Sequence, residues 1–265
     1  EPFNDYVDLQ IDKRQKLHGK TERTYEEITY LNSTLAWVKL ASGVSLTQKR
    51  LDLLKNQYKS SIVENIPPGK ELALNNILFN GINKAGSEDN QRTGYNNING
   101  TYSNDPSLGG TEFGIVPMPG IVSMDSQDLN RGSIKKSRVK IKAYNRQQFD
   151  LIDVLYLRLG HTVLLEFGNS HFWDSGENIK PGSDTLTPMS PTLIDTDFFK
   201  KDDNYYELLE KIEDKRRENR GNYDGILGTI SNFSWTFAAD GTYDIDLDIM
   251  SMGSVIESLK IRYCT

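Results

Sequence analysis

The strongest structural signal in this chain is the stretch Ile226–Ser251, which reads ILGTISNFSWTFAADGTYDIDLDIMS. Large apolar residues occupy every second position on both sides of its centre, which is the period of a β-strand with one buried face. They are Phe233, Trp235 and Phe237 before the centre, and Tyr243, Ile245, Leu247 and Ile249 after it. The centre contains Asp240-Gly241, a pair that favours the positive φ angles of a hairpin turn. The pattern predicts a long β-hairpin whose aromatic residues lie in the core.

A second patterned region, Ser137–Phe167, predicts a strand, a helix and another strand. Its first part alternates apolar with basic residues, which indicates a strand with one wet, basic face. The apolar positions are Val139, Ile141 and Ala143, and the basic positions are Arg138, Lys140 and Lys142. Its last part, Val163–Phe167, is a short apolar run typical of a buried strand. Upstream, the prolines of Pro117–Gly120 predict a kink that leads into an edge strand.

The helix in this region is predicted to begin after Asn145, a residue type that favours the N-cap, and to end at Gly160. Its apolar residues recur at helical spacing and form a stripe that needs a partner surface. The stripe consists of Phe149, Ile152, Leu155 (or Tyr156) and Leu159. The aromatic face of the hairpin is the best candidate for that partner.

Composition changes along the chain suggest two regions. Residues 1–112 form an N-terminal, loop-rich region with short helices and strands. Within it, Gly81–Gly110 is a long polar stretch, which we interpret as a loop that contacts a neighbour. Residues 113–265 form a β-rich domain with an insertion at about 169–222. A charged helix from about Asp202 to Arg220 is predicted inside this insertion.

The overall composition argues against several classes of protein. The net charge is −6, which disfavours a dedicated nucleic-acid binder, because such proteins carry a basic patch. Cys264 is the single cysteine, so no internal disulfide stabilises the fold. No apolar run approaches the roughly 20 residues that a membrane-spanning helix needs, and no signal peptide is recognisable. A chain that begins at Glu1 fits an internal portion of a longer polypeptide or a processed product.

Catalytic and metal-binding patterns are weak. His161 and His171 bracket Glu166, but their spacing is not that of a metal site, so we interpret them as histidines at strand ends. The second hairpin strand carries an acidic stripe, which fits a solvated or neighbour-facing surface better than a Ca²⁺ site. This stripe consists of Asp244, Asp246 and Asp248. We find no nucleophile elbow, phosphate loop or dinucleotide fingerprint, and therefore predict neither an enzyme nor a cofactor.

Three blocks of sequence carry a family resemblance. They are FGIVPMPGIVSM (Phe113–Met124), NRGSIKKSRVKIKAYNRQQFDLIDVLYLRLGHTVLLEFG (Asn130–Gly168) and NYDGILGTISNFSWTFAADGTYDIDLDIMSMGSVIESLK (Asn222–Lys260). Together they resemble tail tube and baseplate-hub structural proteins of tailed bacteriophages and of related contractile injection systems. The resemblance covers about 113–260 without the insertion, and its motifs are packing motifs. The N-terminal third is similar only through WVKLASGVS, starting at Trp37.

The resemblance implies an α+β, mainly β fold: a tail-tube-like β-barrel or sandwich with a packed helix and a long inserted loop-helix segment. It further implies a virion structural protein of the tail, assembled in the bacterial host cytoplasm, that forms a ring with itself or with paralogous subunits. The basic and acidic strand faces are then candidate complementary surfaces between neighbouring subunits. The residues of this hypothesis are Lys140, Lys142, Asp244, Asp246 and Asp248.

Two alternatives remain at this stage. A tail-associated cell-wall hydrolase segment would need a cleft with paired carboxylates, whose spatial pairing is invisible in a sequence. A carbohydrate-binding adhesin module would need aromatic side chains exposed in a groove. The alternation of the hairpin aromatics onto one face argues against this second alternative, because core residues alternate in the same way.

Overall fold

Seven strands occur in the part of the chain that the computed structural model describes, which comprises residues 8, 11–12, 15–16, 18–23, 35–58, 67–80, 117, 119–129, 134–170, 192–194, 198–199, 204–219 and 222–252. They are β1 (Leu35–Ser42), β2 (Leu78–Asn80), β3 (Gly120–Leu129), β4 (Ile134–Ala143), β5 (Thr162–Ser170), β6 (Tyr223–Phe237) and β7 (Tyr243–Ser251). The strands form an antiparallel sheet in the order β2-β1-β5-β6-β7-β4-β3.

Four helices with continuous described bounds accompany the sheet, and the described residues 8, 11–12, 15–16 and 18 are also helical. The four helices are α1 (Gln48–Tyr58), α2 (Glu71–Leu74), α3 (Arg146–Tyr156) and α4 (Tyr205–Glu218). The prediction of an α+β, mainly β fold is therefore confirmed. The predicted loop at 81–110, a short helix that the sequence suggests at Val255–Leu259, and Cys264 lie outside the described residues.

The chain divides into two compact units. The first unit comprises Glu1–Val38, Gly81–Lys84 and Glu166–Gly225, and the second comprises Lys39–Asn80, Ala85–Leu165 and Ile226–Thr265. This division differs from the predicted one, because the N-terminal region 1–112 is shared between both units. Its strands β1 and β2 belong to the same sheet as the later strands. The last segment of the first unit, Glu166–Gly225, overlaps the insertion predicted at about 169–222, which stays a prediction.

The predicted hairpin is confirmed as β6 and β7, which pair from Gly228↔Ser251 to Phe237↔Tyr243. Its turn contains Gly241 with φ +83°, a left-handed conformation that costs glycine little. The Asp240 carboxylate accepts hydrogen bonds from the backbone N–H and the hydroxyl of Thr242, at 3.0 and 2.6 Å. These bonds close the turn and lower the pKa of Asp240.

In the second unit, β7 also pairs with β4, and β4 pairs with β3. The register places Trp235, Ile245, Ile141 and Ile121 at one level on one face of these four strands. We call this side the apolar face. The predicted buried positions Val139, Ile141 and Ala143 of β4 all lie on it and are buried, which confirms that prediction.

Helix α3 covers part of the apolar face. The Asn145 side chain accepts a hydrogen bond from the Gln148 N–H at 2.8 Å, so the predicted N-cap is confirmed. Phe149, Ile152 and Leu155 are buried, as their spacing indicated. The helix ends at Tyr156, however, and Leu159 is 66% exposed, so including Leu159 in the stripe was wrong. The Tyr156 hydroxyl donates to the carbonyls of Leu40 and Asn76, which ties the end of α3 to neighbouring elements.

The aromatic residues at the end of β6 are not in the core. Trp235 is 49% and Phe237 is 62% exposed, so the prediction that they are buried was wrong. These two side chains are exposed because the described neighbouring elements do not extend over this end of β6. Beside β6, the backbone bonds of Ile230 go to Gly160 and His161, just before β5 begins, and α3 contacts Trp235 through the Phe149 ring, whose centroid lies 4.9 Å away.

The sheet curls into a half-barrel within the second unit. Its end strands β2 and β3 come close at one point, where the Asn80 amide donates to the Ile121 carbonyl at 2.7 Å. Gly120, at the start of β3, lies against the Phe79 carbonyl. A Cβ atom at this position would lie 3.1 Å from the carbonyl oxygen. Strand β3 is the last strand of the sheet order, as the sequence predicted for an edge strand.

Candidate assembly surface

The face of β7, β4 and β3 opposite to the apolar face carries rows of opposite charge. The register pairs Arg138 with Asp248, Lys140 with Asp246 and Lys142 with Asp244. Strand β6 continues these rows with Asn232, Ser234 and Thr236, and β3 continues them with Asp125, Ser123 and Gly120. We call this side the charged face. It contains every residue that the sequence proposed for the assembly interface.

Arg138 and Asp248 form the tightest pair on the charged face. The guanidinium donates to both carboxylate oxygens, at 2.8 Å from Nε to Oδ1 and 3.3 Å from Nη2 to Oδ2. This pair lowers the pKa of Asp248 and raises that of Arg138. The Lys142 ammonium lies 3.7 Å from Asp244 and 3.6 Å from Asp240 at the hairpin turn.

These contacts change the meaning of the predicted interface residues. The sequence suggested that the basic and acidic faces are complementary surfaces that meet between neighbouring subunits. In the structure both sets lie side by side on β4 and β7, so they neutralise each other within one chain. The alternation of each strand was visible in the sequence, whereas the pairing of β4 with β7 was not. A role of the charged face in assembly stays a prediction.

Among the described strands, the sheet section β6-β7-β4-β3 has a backbone edge without a partner on each side. Strand β6 continues beyond Ile230, whose backbone bonds Gly160 and His161 just before β5, and its segment Ser231–Phe237 pairs only with β7 among the described strands. On the other side, β3 pairs with β4 along its length, and within the described residues only its start, at Ile121, meets β2. Such edges can pair with another strand.

A buried carboxylate, to which sequence reasoning assigned no role, links three segments of the first unit. Glu166 on β5 is fully buried and accepts hydrogen bonds from the Tyr223 hydroxyl, the Thr192 hydroxyl and the Leu193 N–H, each at 2.6 Å. Burial and the charge of Glu166 raise the pKa of Tyr223, which keeps its hydroxyl protonated as a donor. Glu166 thereby holds residues 192–194 against β5 and β6.

Helix α4 is fixed within the same unit by packing and charge. Asn204 and Glu207 form a capping box at its start, and Leu208 and Ile212 are buried. Arg216 donates to the Asp224 carboxylate at 2.7 Å and to the Gly225 carbonyl at 2.9 Å. Because these contacts lie within a region predicted as an insertion, that region contains an ordered element of its own.

The histidine pattern does not assemble into a cluster in the described part of the chain. Burial lowers the pKa of His161, whose backbone pairs with Ile230 at the start of β5. His171 lies outside the described residues. No group of three or more His, Cys, Asp and Glu side chains suited to a metal ion occurs among the residues that the structure describes.

Comparisons with protein-family models, with curated proteins and with solved structures found no match to this chain. None of the helices in the described ranges is long and apolar enough to cross a membrane. A functional assignment therefore depends on the geometry of the sheet and on the resemblance of the sequence motifs.

Proposed function

We propose that this chain is a structural subunit of the tail of a bacteriophage or of a related contractile injection system. In this proposal it belongs to the tail tube or the baseplate hub, is assembled in the host cytoplasm, and joins copies of itself or paralogous subunits in a ring. One observation carries the proposal: within the described residues, β3 and the segment Ser231–Phe237 of β6 are edges without a further partner strand, on opposite sides of one sheet section.

Two different open edges on one subunit permit a head-to-tail contact, which forms a ring when the rotation between subunits closes. Strand order supports this arrangement. Each step from β6 through β7 and β4 to β3 is antiparallel, so β3 runs opposite to β6. A copy rotated about an axis along the strands would bring its β6 beside β3 in antiparallel orientation, and the sheet would continue across the contact.

The two faces of the sheet section β6-β7-β4-β3 also suit the wall of a ring. The apolar face is covered in part by α3, whereas the charged face carries paired charges and small polar side chains. A wall built from such sections would present one polar surface and one packed surface. The sequence resemblance to tail tube and hub proteins supports the same arrangement.

The test is the association state of the purified chain. We expect mass photometry to show a discrete oligomer that grows with concentration, and negative-stain electron microscopy to show rings. A chain that stays monomeric at every concentration up to its solubility limit, alone and with its neighbouring tail proteins, would contradict the proposal.

The exposed aromatic residues Trp235 and Phe237 favour a second candidate, the carbohydrate-binding module. Exposed rings can stack on sugars, as this alternative required. It predicts that Trp235→Ala abolishes retention on host cell-wall polysaccharide and leaves the association state unchanged. The ring proposal predicts instead that the unchanged chain forms oligomers and is not retained on the polysaccharide.

A further inference from the structure

The aromatic side chains at the end of β6 form a strip that is held in place but only half covered. The Phe149 ring stacks on Tyr243 at 4.4 Å and meets Trp235 edge-on at 4.9 Å. The Phe237 ring lies 5.0 Å from Tyr243. Trp235 and Phe237 therefore pack against buried rings on one side and keep about half of their surface open.

An apolar residue is also exposed at the opposite edge of the same section. The row of paired residues that contains Trp235 reaches β3 at Ile121. Ile121 is buried and lies next to a bulge in the β3–β4 pairing. Val122, at this bulge, is 58% exposed. One chain thus exposes apolar side chains at both open edges, near the same level along the strands.

The residues around both edges suit a contact between copies. The β6 edge carries neutral side chains on the charged face, at Asn232, Ser234 and Thr236. The corresponding positions of β3 are Asp125, Ser123 and Gly120, so direct juxtaposition brings one acidic residue against a neutral row and places no row of like charges together. An unpaired backbone edge beside an aromatic strip fits an extended strand, which supplies both main-chain hydrogen bonds and alternate side chains.

We propose that Trp235 and Phe237 of one copy pack against the Val122 region of β3 in the next copy and anchor the subunit contact. This inference rests on the proposed ring, and it names the residues that hold the ring together. Tryptophan and other aromatic residues typically dominate such contacts, because each buries a large, rigid surface.

The test measures the association constant of the full chain carrying Trp235→Ser, Phe237→Ser or Val122→Ser. We expect each aromatic substitution to weaken association about thirty-fold or more, as anchor residues do. We expect Val122→Ser to weaken it about five-fold, because its apolar side chain is smaller. The matched control is Tyr206→Ser on α4, where an equally exposed tyrosine (68%) is replaced and association should not change.

Contact between the two sites is tested by combining Trp235→Ser with Val122→Ser. If the side chains touch across the interface, the double variant loses less than the product of the single effects. Purely multiplicative effects, or aromatic variants that associate like the unchanged chain, would overturn the inference and leave the ring proposal standing. An unchanged chain that never associates would overturn both. Because Val122 is exposed, its variant remains informative if an aromatic substitution impairs folding.

Discussion

Glu166 is important because of the hydrogen bonds that its carboxylate accepts. They come from two hydroxyls and from the N–H groups of Leu193 and Ile194. A carboxylate accepts from all of them, whereas a glutamine would turn an NH₂ group toward a donor. We expect Glu166→Gln to lower the free energy of unfolding by about 2–4 kcal/mol, measured by urea denaturation.

Hydrogen exchange localises this effect. The Leu193 and Ile194 amides should lose protection in Glu166→Gln, because they donate to the altered side chain. The control Glu210→Gln, at an exposed position on α4, should change neither stability nor exchange. Unchanged protection at both amides in Glu166→Gln would show that this carboxylate does not hold residues 192–194.

Asp248 gives a pH-dependent prediction. Its pKa is lowered in the folded chain by the Arg138 hydrogen bond, so its stabilising contribution is complete above the unfolded value, near 4. That contribution disappears as the pH falls through the lower, folded value. At pH 7 we expect Asp248→Asn to cost about 1 kcal/mol, since Arg138 is half exposed and the pair is partly screened.

Urea unfolding at several pH values checks this prediction. The stability difference between Asp248→Asn and the unchanged chain should shrink below pH 4. The exposed control Asp214→Asn should show a much smaller difference at pH 7. A difference for Asp248→Asn that stays constant from pH 7 to pH 3 would contradict a role for the carboxylate charge.

Single residues also show what a sequence pattern can predict. Alternation correctly separated the two faces of β4 and β7, and it placed Asp244, Asp246 and Asp248 on one face. It assigned Trp235 and Phe237 to the core because alternation reports which side a residue takes, and not whether another element covers that side. Glu166 was missed because its donors come from residues distant in sequence.

Among the elements, the β6–β7 hairpin depends on its turn. Gly241 has φ +83°, where a side chain on an L-residue is strained. We expect Gly241→Ala to lower the free energy of unfolding by about 1–2 kcal/mol, measured by thermal or urea denaturation. Ala239→Ser, a change in the same turn at a position that already carries a side chain, should have an effect below about 0.5 kcal/mol. Equal stabilities of the two variants would contradict the role of the turn glycine.

The ends of elements were harder to predict than their existence. Helix α3 was found from its N-cap and its stripe, yet it ends at Tyr156, before Gly160. The Tyr156 hydroxyl binds carbonyls of Leu40 and Asn76, and these tertiary contacts are not encoded in the local period. In the same way, no local signal showed that β5 does not extend beside the end of β6.

For the whole molecule, the fold class could be predicted and the strand order could not. Periodicity identified β4, β5, β6 and β7, but a short connection indicates an antiparallel pair only for β6 and β7. The position of β1 and β2 at one end of the sheet depends on long-range pairing, for example Gly43 with Thr162. The open edges that support the proposed function are a consequence of this order, so they become visible only in the structure.

The most direct test of the ring is a pair of cysteines, Ser123→Cys and Ser234→Cys, placed in one chain that also carries Cys264→Ser. Both serines are exposed and lie at the same level on opposite edges of the charged face. Three strand spacings separate them by about 14 Å within one chain, too far for a disulfide, so any bond joins two copies. We predict a ladder of covalent oligomers ending at one closed size, whereas either cysteine alone gives at most dimers. A double variant that stays monomeric under oxidation, or stops at dimers, would contradict head-to-tail assembly through β3 and β6.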